Sequence, residues 1–312
     1  MKSVEEVKKT FEYLFTEIEK VIVGQKELLN QMVIGLFCDA HVLLEGYPGL
    51  AKTLSVKTLA QLIDLKFSRV QSTPDLLPSD ITGTYIIEET TQGKRTFKFQ
   101  PGPVFANVVL ADEINRATPK TQSALLEAMQ EKQVTVGNNT FKLDEPFFVI
   151  ATQNPIEQEG TYPLPEAQSD RFLLKVRATY PTFDEELEIV DRFTEIQKKA
   201  QLKPILNKET LLYLQSLTRQ VPIANDLKQY AVKLVTTTRQ KKDLIEYGAS
   251  PRASIGLVLA AKARALLEGR KYVSKEDINT LAFPVLRHRI VLHFEAERQG
   301  LSEDDVIKQL LK

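Results

Sequence analysis

The stretch Val42-Leu43-Leu44-Glu45-Gly46-Tyr47-Pro48-Gly49-Leu50-Ala51-Lys52-Thr53-Leu54 decides the fold. Val42 to Leu44 read as a buried strand, Gly46 to Thr53 as a glycine-bearing loop, and Leu54, Leu59 and Leu62 as the apolar positions of a helix. Strand, loop and helix in that order are what a phosphate cradle needs. The loop turns backbone N–H groups inward, the helix N-terminus adds partial positive charge, and Lys52 reaches the outer phosphates. Thr53 offers a hydroxyl to Mg²⁺. Ala51 stands where G-x-x-x-x-G-K-[ST] has its last glycine. Only a positive φ demands glycine, so a methyl there predicts helical φ. An ordinary Gly/Pro turn ending in Lys-Thr has the same residues, and the rest of the chain has to decide between the two.

Asn107-Val108-Val109-Leu110-Ala111-Asp112-Glu113 reads as a second buried strand, its apolar run unbroken as in a strand covered on both faces. Unpaired burial of its two terminal carboxylates would cost several kcal/mol, so they face a cleft or a cation. Asp112 suits the Mg²⁺ shell and Glu113 the polarisation of an attacking water. A third strand, Phe147 to Thr152, ends at Gln153-Asn154-Pro155. The Asn154 amide either orients that water and touches the γ-phosphate or simply starts a turn before proline. Strand tips are where doubly wound sheets keep their chemistry. Two arginines add to the set: Arg171 at the start of a last strand, and Arg252 in Ser250-Pro251-Arg252-Ala253 at a helix start. The guanidinium fork suits bidentate phosphate contact, and it equally suits a surface ion pair.

The 312 residues suffice for about two domains with substantial cores. Hydrophobic content of 43% and charged content of 26% are those of a soluble globular protein. Lys plus Arg and Asp plus Glu number 41 each, so no basic surplus argues for nucleic acid. The single Cys38 excludes an internal disulfide framework, and with three histidines it argues against structural zinc. His288 and His293 read as packed or solvated. The start Met1-Lys2-Ser3-Val4-Glu5-Glu6 carries no signal-peptide pattern, and no run approaches the ~18–20 apolar residues of a membrane span. The expectation is a cytoplasmic protein without membrane insertion.

Strands are predicted at 41–45, 67–71, 108–111, 147–152 and 172–176, with helices between most of them, the alternation of a parallel sheet. Helices are predicted at 4–20 and, after the break Val23-Gly24-Gln25, through Leu36. Two hairpins interrupt the pattern, one pairing Gly83–Ile87 with Arg95–Phe99 and one pairing Val134–Val136 with Thr140–Leu143. After Pro181 the strand signals fade. Thr182-x-x-Glu185, Ser274-x-x-Asp277 and Ser302-x-x-Asp305 are capping boxes that open helices. The prediction is an α/β core over 1–181, with helices on both faces of a parallel sheet, and an all-helical domain over 182–312.

With these motifs in hand the chain resembles the MoxR family of AAA+ ATPases. The likeness rests on Gly46–Thr53, Leu110–Ala117, Ala151–Pro155, Leu164–Phe172, Ser250–Ala253, Val285–Ile290 and Gly300–Asp305. It covers nearly the whole chain, and Ala51 is usual in that family. It implies a Mg²⁺-dependent ATPase working as a homo-oligomeric ring, a hexamer, that remodels a client protein, often one with a von Willebrand factor A domain. Gly46, Tyr47, Pro48, Gly49, Leu50, Ala51, Lys52, Thr53 and Leu54 would line the nucleotide, with Asp112 and Glu113 as the Walker B pair and Asn154 as sensor 1. Arg171 would act as a finger on the neighbouring subunit's nucleotide, and Arg252 as sensor 2 over the ATP of its own chain. Val23, Gly24 and Gln25 would pack on adenine, and the hairpins would face a central pore. Arg116 could also reach across the interface. A DNA or RNA motor would use the same hairpins, with slight support from Lys94, Arg95, Lys98 and Lys142, but the zero net charge opposes it. A magnesium-chelatase-like subunit is a closer rival. Glu113 and Asn154 disfavour a non-hydrolysing scaffold, and no Asn-Lys-x-Asp marks a GTPase.

Overall fold

The computed structural model describes residues 3–89, 95–155, 160–194 and 201–312. Met1, Lys2, Lys94 and the turn of the first hairpin lie outside the described residues. In chain order the core comprises α1 (Val4–Glu19), α2 (Lys26–Phe37), β1 (Val42–Glu45), α3 (Lys52–Leu62), β2 (Phe67–Gln71), α4 (Pro78–Thr82), β3 (Gly83–Glu89) and β4 (Arg95–Pro101). It continues through β5 (Val108–Asp112), α5 (Pro119–Glu131), β6 (Gln133–Val136), β7 (Asn139–Lys142), β8 (Phe148–Gln153), α6 (Glu166–Ser169) and β9 (Leu174–Arg177). Beyond it come α7 (Phe183–Thr194), α8 (Lys208–Gln220), α9 (Asn225–Gln240), β10 (Ile245–Tyr247), α10 (Pro251–Leu267), α11 (Lys275–Leu286), β11 (Val291–Leu292), α12 (Phe294–Arg298) and α13 (Glu303–Leu310).

Five strands form one parallel sheet in the order β2-β5-β8-β1-β9. Alternation along the strands serves two cores. Val42, Leu44, Val108, Leu110, Phe148 and Ile150 face one apolar cluster with α1, α2 and α3. Leu43, Val109, Ala111, Val149 and Ala151 face a second cluster with α5. Burial on both faces explains why these strands read as continuous apolar runs. The register aligns the carboxyl-terminal tips: Leu44 lies opposite Thr152, Glu45 opposite Gln153, and Gln71 opposite Asp112. Chain order reverses between β1 and β2, so the tips of β1, β8 and β5 stand together at the switch point where such sheets hold ligands.

The two hairpins are antiparallel pairs of β3 with β4 and β6 with β7. Phe99 of the first stacks on Phe141 of the second, ring centroids 4.1 Å apart, which locks the two together. Ile87 and Phe97 remain exposed on the longer hairpin.

The second part is helical, as predicted, with one addition. Ile245 and Leu292 pair in the two-stranded ribbon β10–β11, too short for a period-2 signal to register. The capping boxes at Ser274 and Ser302 are present, and Thr182 exchanges backbone bonds with Glu185 at the start of α7. Its central helix α10 is rich in buried alanine, and Gly256 lies so close to β9 that an added Cβ would stand 2.8 Å from Leu173. Helices α10 and α11 share one apolar cluster with α1 and α2. No helix among the described residues is long and apolar enough to cross a membrane.

Candidate functional site

Pro48 to Leu54, Asp112, Glu113 and Asn154 line a cleft of about 360 Å³ at the tips of β1, β5 and β8. The first-turn N–H groups of α3 open onto it, and helix geometry leaves such groups without intrahelical carbonyls. Lys52 folds back so that its ammonium donates to the Gly46 carbonyl. Gly49 has φ 84° with no atom within 4 Å of where a Cβ would sit, which leaves room for an anion against the backbone. Ala51 is not helical as expected: its φ is 53°, in the left-handed region. The chain must turn sharply from the loop into α3, and the residue before Lys52 takes that turn, where a methyl costs about 1–2 kcal/mol.

The acidic wall is tightly organised. Asp112 is 8% exposed. Thr152 donates to Asp112 Oδ1 at 2.6 Å, and the Glu113 backbone N–H donates to the same hydroxyl at 2.8 Å. One buried threonine at the tip of β8 thus orients both acids. Arg69 donates to Asp112 Oδ2 at 2.6 Å and also bonds Gln71. Glu113 sits in the left-handed region at φ 55°, ψ 50°, which swings its side chain out of the strand into the cleft. Gln71 donates to Glu113 Oε2 at 3.0 Å and Arg116 to the same oxygen at 3.2 Å. Thr152, Arg69 and Gln71 escape a reading by motif. The available signal is register alone, since Gln71 ends its strand beside Asp112.

A divalent cation fits this wall. Thr53 donates to Asp112 Oδ2 at 3.4 Å, so a hydroxyl and a carboxylate, both hard oxygen ligands, already converge. Arg69 meanwhile neutralises the same carboxylate.

Val23, Gly24 and Gln25 lie outside the lining of the cleft, beside the start of the loop. Gln25 donates to the Thr179 carbonyl at 2.8 Å, and a Cβ on Gly24 would stand 2.7 Å from Glu185 Oε1. Gly46 packs on Ala178, and Tyr47 stacks on Tyr180 with centroids 5.2 Å apart.

The two other arginines stand elsewhere. Asp170 and Arg171 precede β9 as Ala40 and His41 precede β1, and in a parallel sheet that is the end opposite the tips. Arg171 donates to the Leu126 carbonyl at 3.0 Å. Asp170 accepts from Ser250 at 2.9 Å, pairs with Arg289 at 2.7 Å, and has Arg252 3.7 Å away. Arg252 is not among the residues that line the cleft: it shares a cavity of about 260 Å³ with Asp170 and Arg171. The cause is the docking of α10, which the Ser250 bond and the close Gly256 contact hold at the base of β9. His288 is packed, its Nε2 donating to the Phe172 carbonyl at 2.9 Å, and burial holds its pKa well below the imidazole range. His293 caps α12.

Comparison with known proteins agrees with this geometry. The model of the ATPase family associated with various cellular activities (AAA) matches residues 41–174, and that of the AAA lid domain matches residues 238–310. Chaperone MoxR1 of Mycobacterium tuberculosis is 47% identical over 97% of this chain and 81% of its own length. A Bacillus subtilis protein of undescribed function, YeaC, is 47% identical over 94% of this chain and 91% of its own. Protein MoxR of Methylorubrum extorquens is 30% identical, covering 92% and 90%. A crystal structure from Cytophaga hutchinsonii, provisionally described as an ATPase, superposes with a TM-score of 0.91 at 46% identity, covering 99% and 95%.

Proposed function

The chain belongs to the MoxR family of AAA+ ATPases, and on that footing we propose that it binds and hydrolyses ATP with Mg²⁺ in a cytoplasmic, hexameric ring and remodels a client protein. One observation carries the reading: Lys52, Thr53, Asp112, Glu113 and Asn154 converge from three adjacent strand tips on one cleft. In it the loop and the first turn of α3 hold the phosphates, and Lys52 leaves the Gly46 carbonyl for the outer phosphate oxygens. Thr53 and Asp112 would hold Mg²⁺, which would supply charge neutralisation for phosphoryl transfer. Asn154 orients the attacking water, and Glu113, poised by its left-handed backbone, accepts the water's proton. Val23 to Gln25, next to Tyr47, give adenine its seat.

The arginines belong to the other end of the sheet, so they serve a neighbour. In a head-to-tail ring the tips of one copy face the base of β9 in the next, and Arg171 and Arg252 of that copy reach the shared nucleotide. The parts that move are the core, 1–181, and the lid, 182–312. Their relative rocking shifts the linked hairpins, which touch the client. By resemblance that client often carries a von Willebrand factor A domain, and the balanced charge gives nucleic acid no general hold.

The test is paired. Lys52→Ala should lose ATP binding, measured by titration with a fluorescent analogue. Glu113→Gln should bind ATP and lose hydrolysis by something on the order of 10²–10⁴-fold in a phosphate-release assay. Full turnover by Glu113→Gln would remove that residue from the chemistry.

A further inference from the structure

Helix α7 wears its apolar side outward. At 100° per residue Phe183, Leu187 and Val190 fall within an arc of about 60°. They are 81%, 52% and 49% exposed. The opposite side, Glu185, Ile189 and Arg192, rests half-buried on the body, where Arg192 donates to the Glu19 carbonyl at 2.7 Å. None of the helix's residues is fully buried. A surface helix ordinarily does the reverse, and a contiguous outward apolar stripe marks an interaction face. The stripe is flanked by acids: α7 carries five carboxylates, Asp184, Glu185, Glu186, Glu188 and Asp191, against one guanidinium.

A complementary surface exists at the other end of the same molecule. The cavity at the base of β9 is mostly apolar, walled by Met129, Leu173, Ile255 and Leu259. Arg252, Ile255 and Leu259 follow one another along α10 at i, i+3 and i+7, and Ile255 is 63% exposed. Three guanidiniums line this cavity, Arg171 and Arg252 among them, against one carboxylate. An acid-flanked apolar helix and an arginine-rimmed apolar cavity match in both terms.

Their placement says whose cavity it is. Phe183 follows Tyr180, which stacks on Tyr47 of the phosphate loop, so α7 lies beside the cleft at the tip end of the sheet. The cavity holds Arg171 and Arg252 at the base end. We propose that α7 of one copy docks its Phe183–Leu187–Val190 stripe into the Ile255–Leu259 cavity of the next copy, alongside the shared nucleotide. This rests on the head-to-tail, shared-nucleotide reading above and adds to it a specific hydrophobic contact. The contact is heterologous, so it propagates around a ring. It also ties assembly to the site, since the cavity that takes the helix is lined by the arginines that reach the phosphate.

Two measurements test it. In sedimentation velocity with a slowly hydrolysed ATP analogue, Phe183→Ser/Leu187→Ser and Ile255→Ser should each raise the half-assembly concentration at least about tenfold, as expected for central apolar contacts. Both sites are exposed, so thermal unfolding should be unchanged. Separately, Phe183→Cys and Ile255→Cys proteins are mixed with the analogue and treated with a short bismaleimide. The sole native cysteine, Cys38, is buried, so background should be low. A dimeric cross-link in the mixture, absent from either protein alone, is the expected result. Mixed assemblies that form at wild-type concentration and give no cross-link overturn the docking, leaving α7 to a different partner. Phosphate release from ATP is read on parallel samples without cross-linker. A cross-link in proteins that do not turn over ATP upholds the docking and sinks the hydrolytic reading, and turnover without a cross-link sinks the docking alone.

Discussion

His41 shows how one residue sets a pH limit on the whole fold. It is buried between β1 and its neighbours, its Nε2 donating to the Met129 carbonyl at 3.0 Å while the Val149 N–H donates to Nδ1 at 3.0 Å. Both nitrogens are used, and in only one tautomer. Burial pushes its pKa down from 6.5 to about 4, against the pull of the Met129 carbonyl. A base with a depressed folded pKa contributes stability that is complete above pH 6.5 and lost as pH falls from there towards 4. The loss amounts to about 3 kcal/mol. His288, also depressed, adds to it with the same sign. Urea unfolding at pH 7 and pH 4.5 should show the drop, and His41→Gln, which keeps a donor and an acceptor, should make it smaller by its own share. At this scale the sequence was legible in the grouping of Lys52, Thr53, Asp112, Glu113 and Asn154, which line one cleft. It misled at Ala51, because residue type does not report φ. It was silent at Thr152 and Arg69, whose importance comes from which strands lie side by side.

At the scale of elements, the seam between β9 and α10 decides what the arginines can do. Arg289 is 3% exposed at its side chain. It donates to Asp170 Oδ1 at 2.7 Å, to the Leu173 carbonyl at 2.9 Å and to the Phe172 carbonyl at 2.6 Å. Burial lowers its pKa, and the Asp170 carboxylate resists that shift. Removing one partner of such a pair strands the other charge, at about 3–5 kcal/mol. Arg289→Ala should therefore lower the urea midpoint by that equivalent. Arg252→Ala, whose partner is 3.7 Å away and whose side chain is half exposed, should change it little. Equal losses would mean that Arg252 is structural. Strands, hairpins and capped helices were legible here because each carries a local signal: an apolar run, a turn, a box. The β10–β11 ribbon was too short for one. The outward face of α7 was hidden for another reason: periodicity tells which residues share a face and never what lies opposite that face.

At the scale of the whole molecule the cleft and the arginines sit at opposite ends of one sheet, and on the proposed reading a single copy then holds two half-sites. Ion pairs around Glu45 join the tip end of that sheet to the helical part in the conformation seen. Glu45 pairs with Lys175 at 2.5 Å and Arg177 at 3.1 Å, and Arg177 pairs onward with Glu303 and Asp304 at the start of α13. The strand that leads into the phosphate loop is thereby tied to the last helix of the lid. Core and lid were legible as parts, but the docking of the lid was not, because no local pattern encodes which end of a sheet a helix start will meet. The proposed division of the site between copies has a consequence that mixing can check. Arg171→Ala keeps the cradle and the Mg²⁺ ligands, so it should bind ATP normally while hydrolysis falls on the order of 10³-fold. Glu113→Gln should be inactive for the complementary reason. Combined, the two inactive proteins form some interfaces that join an intact Glu113 from one copy to an intact Arg171 from the next. Phosphate release should then rise above that of either alone, and should peak near equal proportions. An arginine that acted within its own chain could give no such rise. If sedimentation demonstrates mixed rings and activity stays at the level of the separate proteins, the shared site is wrong and Arg171 belongs to the fold alone.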